Sequence, residues 1–387
     1  MKSITLFEDN NNHYLLPLSY FKHFSDLKVG CFSIKEKWKK KGYKVSTSGR
    51  NYLCENTHIK NDLWISARVL PNVDLIKEID RLELNNYLSH DNFIIAICSE
   101  NQKKVDSNGF IDSISIENLT EVKLNTVNML KYPWDIMSYN HNELISDFKE
   151  FSLEKINYPH VHQLGQENVF IHPAVQIQPG VVINAEKYPV VIDKDVKIGA
   201  NSYLEGPLYI GEKTEIRQFT SVKNSSIHFN CRIGGEISGS VMLEFSNKVH
   251  HGFLGNSVLG SWTNLGAGAT TSNLKNNYSN ISMKYYGETI KLETQFMGLI
   301  FGDHSKAAIN STFNTATIIG VNTNIFGGQV PPKSVGSFEW GGQDSSKKYD
   351  VNKAKEVAKA VMGRRNVEFD DKQSTTFDTI HKLTQNE

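Results

Sequence analysis

The chain is expected to form a mixed α/β N-terminal domain, then a parallel β-helix built from hexapeptide repeats, then a C-terminal α-helix. Three observations carry this. Residues 1–150 contain only Gly30, Gly42, Gly49 and Gly109, and the other 23 of the 27 glycines lie beyond them. Ile192, Ile198, Leu204, Ile210, Ile216 and Val222 recur at every sixth position, often before a small residue or turn former, as in Ile198-Gly199 and Ile210-Gly211. Ala354, Val357, Ala358 and Val361 in the tail have helical i, i+3, i+4, i+7 spacing.

A six-residue step fits neither a helix nor a simple hairpin sheet, and marks a solenoid whose hexads are each one short strand plus a turn. With three hexads to a coil, Ile192 belongs directly under Ile210, and Ile198 under Ile216, at the strand spacing of roughly 4.8 Å. Ile171, Ile177 and Ile183 keep the step earlier. Leu259, Leu265 and Thr271 keep it later, and Ile319 and Ile325 resume it after an irregular stretch over 278–310. Residues 185–190 break it, which predicts a protruding loop.

Before the repeats, Ser3–Phe7 is expected as a strand, Ile34–Lys41 as a short charged helix, and Val73–Leu82 as a helix. Asn92–Cys98 (NFIIAIC) reads as a buried strand. Asn140–Leu153 is expected to be helical, with Leu144, Ile145 and Phe148 on one side. The tail helix is expected to end near Gly363 and to cover an open end of the solenoid, where bare strand edges would invite aggregation. The corresponding domain limits are 1–155, 165–340 and 350–387.

Composition removes several classes. Forty-two basic and 42 acidic residues cancel, so there is no electrostatic case for nucleic acid or an anionic membrane. No apolar run approaches the roughly 18 to 20 residues of a membrane span. The N-terminus, MKSITLFEDNNN, has no apolar signal core. Cys31, Cys54, Cys98 and Cys231 lack metal-ligand spacing and fit reduced thiols. A cytoplasmic protein is expected.

The segment 248–273, KVHHGFLGNSVLGSWTNLGAGATTSN, resembles the acyltransferase site of the bifunctional N-acetylglucosamine-1-phosphate uridylyltransferase / glucosamine-1-phosphate acetyltransferase family. LLPLSYFKHFSDLKVG (15–30), EKW (36–38), WISARVLP (64–71), PWDI (133–136), GDHSK (302–306) and FNTATIIGVNTNIFG (313–327) extend the match over nearly the whole chain. They are similar to a short, Bacteroidetes-type sugar nucleotidyltransferase family. The resemblance implies a shortened nucleotidyltransferase-like domain before a left-handed parallel β-helix, a homotrimer, and coenzyme A lying along the solenoid groove. Trimerisation would also shield solenoid surface from water.

It also implies roles. His250 matches the histidine that takes a proton from the sugar amine as that amine attacks acetyl-CoA. A neutral imidazole suits this work near pH 7. The backbone of Gly266, Ala267 and Gly268 could donate to the developing oxyanion, with Ala267 near the thioester. Asn264 and Asn273 match positions that contact the amino sugar. A solvated corner histidine is the alternative for His250, His251 is expected to support it, and His304 is a second candidate whose alternative is a loop histidine bonded to Asp303. Two family positions differ. Phe253 stands where the family has a sugar-binding tyrosine, and a phosphate-binding lysine falls near Ser238. Lys275, Arg217 or Arg232 could supply the cation. Losing a charged phosphate contact costs a few kcal/mol, so glucosamine 1-phosphate is not expected to be the unique substrate.

The N-terminal region lacks the Gly-rich triphosphate loop of ordinary sugar nucleotidyltransferases. Lys22, Lys28, Lys37 and Arg68 are its candidate nucleotide-phosphate ligands, with solvated surface charge as the alternative for each. Asp135 and Asn140 are candidates for the side of a Mg2+ ion. Three functions follow: an acetyl-CoA-dependent transferase on an amino sugar phosphate or nucleotide sugar; a sugar-1-phosphate nucleotidyltransferase that uses the β-helix to oligomerise; and a nucleotide-sugar-binding scaffold without turnover.

Overall fold

The computed structural model describes residues 2–54, 62–99, 110, 116–152, 158–342, 346–385 and 387. The chain divides into two compact units, Met1–Lys28 with Phe32–Asp135, and Val29–Cys31 with Ile136–Glu387.

The first unit is α/β. It contains β1 (Ser3–Phe7), α1 (Ile34–Lys40), β2 (Lys44–Ser48), β3 (Leu63–Ser66), α2 (Val73–Asp80), β4 (Asn86–His90), β5 (Phe93–Cys98) and β6 (Thr120–Lys123). These strands form one sheet in the order β2-β1-β3-β5-β4-β6. β1 runs parallel to β2 and β3, and β5 runs antiparallel to both β3 and β4. The apolar run NFIIAIC lies inside this sheet as β5, with Ile95, Ala96 and Ile97 buried. α1 starts at a capping box, in which Ser33 Oγ accepts from Glu36 N–H and Glu36 accepts from Ser33 N–H.

The second unit is a parallel β-solenoid with three ladders of short strands. Its register bears out the six-residue reading. Ile171 pairs with Ile192 and Ile192 with Ile210 on the first ladder. Ile177 pairs with Ile198 and Ile198 with Ile216 on the second. Ile183 pairs with Leu204 and Leu204 with Val222 on the third. All nine belong to one buried core that continues to Ile325. Burying each such side chain stabilises the fold by roughly 1.5–3 kcal/mol.

Departures from the repeat have local causes. The segment 185–190 lengthens one coil and carries Tyr188, whose ring packs edge-on to His141 at 4.8 Å. Later coils tighten, so that Val222 pairs with Ile237 and Ile237 with Leu254. A long excursion then separates Leu259 from its partner Phe301. It contains an antiparallel hairpin of Ser282–Tyr285 with Glu288–Lys291.

The helix expected over Asn140–Leu153 is α3 (Asp135–Asp147), followed by a 3-10 turn at Phe148–Glu150; Leu153 lies outside the described residues. Its buried stripe is Ile136, Asn140, Leu144 and Asp147, not the apolar set Leu144, Ile145 and Phe148. The two polar members are satisfied. Asn140 Oδ1 accepts from Gly30 N–H and Ser226 Oγ, and Asp147 accepts from Cys31 N–H.

The tail forms two helices, α4 (Val351–Gly363) and α5 (Asp371–Leu383). They lie along the corner between the first and second ladders rather than across an open end. Arg365 donates to Asn230 and Asn247, Phe377 packs on His304, and His381 packs on Phe338. The second ladder ends on an antiparallel strand, Ser346–Lys348 against Glu339–Gly341.

Candidate active site

His250 stands exposed at the corner between Asn247–Lys248 on the second ladder and Phe253–Gly255 on the third. Lys248 occupies the inward row, where its partner is Ile233. Its Nζ donates to the carbonyls of Gly234 (3.0 Å) and His250 (2.8 Å). Burial pushes this amine down to about 8. A lysine in the apolar column therefore ties down the backbone of the candidate base.

The next coil places the Gly266-Ala267-Gly268 turn against the same corner. Gly268 N–H donates to His251 O at 3.1 Å, and Gly266 N–H donates to Ala307 O at 3.0 Å. Ala267 N–H is left as the one amide of this turn without a partner among the described residues. Contact between the corners requires glycine. At Gly252 φ is +124°, and an added Cβ would lie 2.2 Å from Ala269 O. The turn can thus offer one backbone donor to a developing oxyanion.

Phe253 and Asn273 flank the third-ladder side of this corner. The Phe253 ring lies against Gly255, where an added Cβ would meet it at 2.4 Å. Asn273 Nδ2 donates to Asn256 Oδ1 at 2.8 Å. Asn264 faces outward on the second ladder, in register with Asn247 and Lys306. Lys275 turns to its own loop and donates to Asn280 O at 2.7 Å. The outward row through Ser238 holds a cation one coil earlier, because Lys223 pairs with Ser238 and Ser238 with Gly255. Sequence spacing missed Lys223; the tightened register brings it into this row.

His304 occupies the other end of the second-ladder strand. It is buried, stacked on Trp262 at 6.2 Å and edge-on to Phe377 at 5.0 Å. It belongs to an aromatic column with Phe245 and Trp262, whose rings stack at 3.9 Å. His250 and His304 are therefore held at different corners.

The N-terminal candidates are mostly engaged within the protein. Arg68 is buried and uses four donor positions: two bonds to Asp9, one to Leu130 O and one to Asn11 O. Its guanidinium also lies over Phe24 at 4.4 Å. Lys28 pairs with Glu36, Lys37 is buried, and the Lys22 carbonyl accepts from Arg50. Asp135 Oδ2 accepts from the N–H groups of Lys131 and Tyr132. Burial raises its carboxyl to about 6. Asn140 is spent on Gly30 and Ser226. Among the described residues no group of three or more His, Cys, Asp or Glu side chains could hold a metal ion. The engaged Asp135 and Asn140 do not form a donor set for Mg2+.

Comparison with known proteins gives a family match for the N-terminal part and bifunctional relatives for about half of the chain or more. Residues 4–156 match the sugar nucleotidyl transferase family model. The chain is 26% identical over 243 residues to a bifunctional sugar-1-phosphate nucleotidylyltransferase/acetyltransferase of Sulfurisphaera tokodaii, covering 60% of this chain and 57% of that protein. It is 31% identical over 213 residues to the bifunctional protein GlmU of Methanococcus maripaludis, covering 55% and 46%. The chain thus spans about half the length of these curated relatives. A Francisella novicida UDP-N-acetylglucosamine acyltransferase structure aligns with 58% of this chain and 92% of its own, at 13% identity and a TM-score of 0.20. The solenoid assignment rests on the strand registers of this chain, not on that alignment.

Proposed function

We propose that this chain transfers an acyl group from coenzyme A, with acetyl-CoA as the expected donor, to the amine of an amino sugar phosphate or nucleotide sugar. The observation that carries the reading is the direct contact between the His250 corner and the Gly266–Gly268 turn, with Ala267 N–H unpartnered. His250 accepts the amine proton as nitrogen attacks the thioester carbonyl. The oxyanion of the tetrahedral intermediate accepts a hydrogen bond from Ala267 N–H. Collapse breaks the C–S bond and releases the coenzyme A thiol, which carries the proton. Asn264, Asn273 and Phe253 shape the acceptor site, and the domain limits 1–155, 165–340 and 350–387, a homotrimer and a cytoplasmic location accompany this reading.

The test is acetyl transfer to a panel of amino sugar phosphates and nucleotide amino sugars. His250→Ala is expected to lower the rate by about 10²–10⁴-fold, the range for a general base. An unchanged rate in the variant would remove His250 from the mechanism, and no transfer by the wild type would remove the reading.

The match of residues 4–156 to the sugar nucleotidyl transferase model favours a second activity, nucleotidyl transfer in the N-terminal unit. It would need a divalent cation, expected to be Mg2+, held by ligands other than Asp135 and Asn140. Pyrophosphate release from UTP or dTTP with sugar 1-phosphates is its measurement.

A further inference from the structure

A cleft of about 570 Å³ lies between the outward row of the second ladder and the C-terminal end of α4. Arg217, Arg232, Lys306, Arg364 and Arg365 contribute five cations to its wall, against one carboxylate, Glu215. Glu215 is already bonded to Arg232 at 3.2 Å. Arg217, Lys306, Arg364 and Arg365 have no ion-pair partner among the described residues.

We propose that this cleft is a binding site for the phosphate groups of a phosphorylated small molecule, completed by the arginines that follow α4. The proposal does not depend on acyl transfer at His250, because it concerns binding alone.

Three physical points support it. First, like charges are held together here without compensation. Arg365 is fixed by Asn230 (3.3 Å) and Asn247 (2.8 Å), both neutral acceptors. Burial and then the neighbouring Arg232 push its pKa below the ordinary arginine value. Lys306 is pushed down to about 8 by burial, and its Nζ has a backbone carbonyl, His304 O, as its partner at 2.8 Å. A protein that places cations in this way gains stability when an anion enters. Second, the carbonyl end of α4 supplies only about half an elementary charge, which leaves most of the excess uncompensated. Third, three guanidinium groups and a lysine with no ion-pair partner suit the several oxygens of a phosphate or diphosphate, since arginine matches them in bidentate geometry. The excess also exceeds what one carboxylate could neutralise.

Arg217 and Arg232 are among the cations that the sequence offers for a phosphate. The structure adds Arg364 and Arg365 from the tail and separates this group from Lys275, which is bonded within its own loop.

The experiment is calorimetric titration of the full chain with inorganic pyrophosphate, with parallel arms using coenzyme A and glucosamine 1-phosphate. The expected result is saturable binding of pyrophosphate that weakens with salt. Arg365→Gln and Arg217→Gln should each weaken it by about tenfold or more, as for loss of one charge-assisted hydrogen bond. Arg365 also docks the helix, so Arg217→Gln, at an exposed side chain, keeps the test valid if Arg365→Gln misfolds. Tighter binding of coenzyme A than of pyrophosphate, lost in the same variants, assigns the phosphates to the acyl donor. The same pattern with glucosamine 1-phosphate assigns them to the acceptor. Absence of saturable binding in all three arms, or equal affinity in wild type and Arg217→Gln, overturns the site.

Discussion

Glu8 and Arg50 follow β1 and β2 in the N-terminal unit, and they neutralise one another in full burial, with Arg50 Nη2 2.6 Å from Glu8 Oε1. Arg68 and Asp9 repeat the arrangement after β3 and β1. On the solenoid, Arg217, Lys306, Arg364 and Arg365 line one cleft with no carboxylate of their own. The two regions teach how to tell structural charge from charge held for a ligand. The strand ends of the N-terminal unit keep their cations for internal carboxylates. Among the described residues, the solenoid cleft leaves Arg217, Lys306, Arg364 and Arg365 without a carboxylate partner, and the Ala267 amide without an acceptor.

Breaking the sealed pair should have the largest effect on stability. Glu8→Gln leaves Arg50 buried beside a neutral amide and is expected to cost about 3–5 kcal/mol, read from urea unfolding. Arg50 and the other groups around it hold the Glu8 carboxyl down to about 2 against the burial that opposes them. The stabilisation is therefore present above the ordinary carboxylate range near 4.5 and is lost as pH falls from there toward 2. The wild type should show this acid slope and Glu8→Gln should lack it. An equal slope in both proteins would place the titration elsewhere.

Lys248 lies between the two regimes, since it is buried but paired only with carbonyls. Lys248→Met removes both bonds and is expected to cost about 1–3 kcal/mol. The folded amine titrates near 8, below its ordinary value of 10.5, so the unfolded chain binds more protons between those limits. Wild-type stability should accordingly rise across that window, and the rise should shrink in the variant. A pH-independent difference between the two would show that the amine does not titrate there.

Arg217→Gln should have the smallest effect, within about 0.5 kcal/mol without ligand, because an exposed arginine with no ion pair contributes little. A loss comparable to that of Glu8→Gln would erase the distinction between sealed and open charge.

Much of this architecture was legible in the sequence. The six-residue step placed Ile192 under Ile210 and Ile198 under Ile216, because inward branched residues must stack to leave water. The step could not place Lys248 in the inward row, since the coils there tighten and a lysine breaks the apolar pattern. It could not place Lys223 beside Ser238 for the same reason. α5 was missed because its buried face, Thr376, Phe377 and Ile380, is short and partly polar. Its Asp370–Gln373 capping box was the available signal. The His250 corner and the Gly-Ala-Gly turn were legible as a motif. Which amide of that turn lacks a partner depends on bonds to Ala307 and His251, which no spacing reveals.

The most direct measurement of the central claim is a crystal structure of the full chain with acetyl-CoA. The account predicts the thioester carbonyl oxygen within hydrogen-bond distance of Ala267 N–H, with the carbonyl carbon facing the space beside His250. An acetyl group bound away from this corner, with Ala267 N–H turned to another partner, would contradict it.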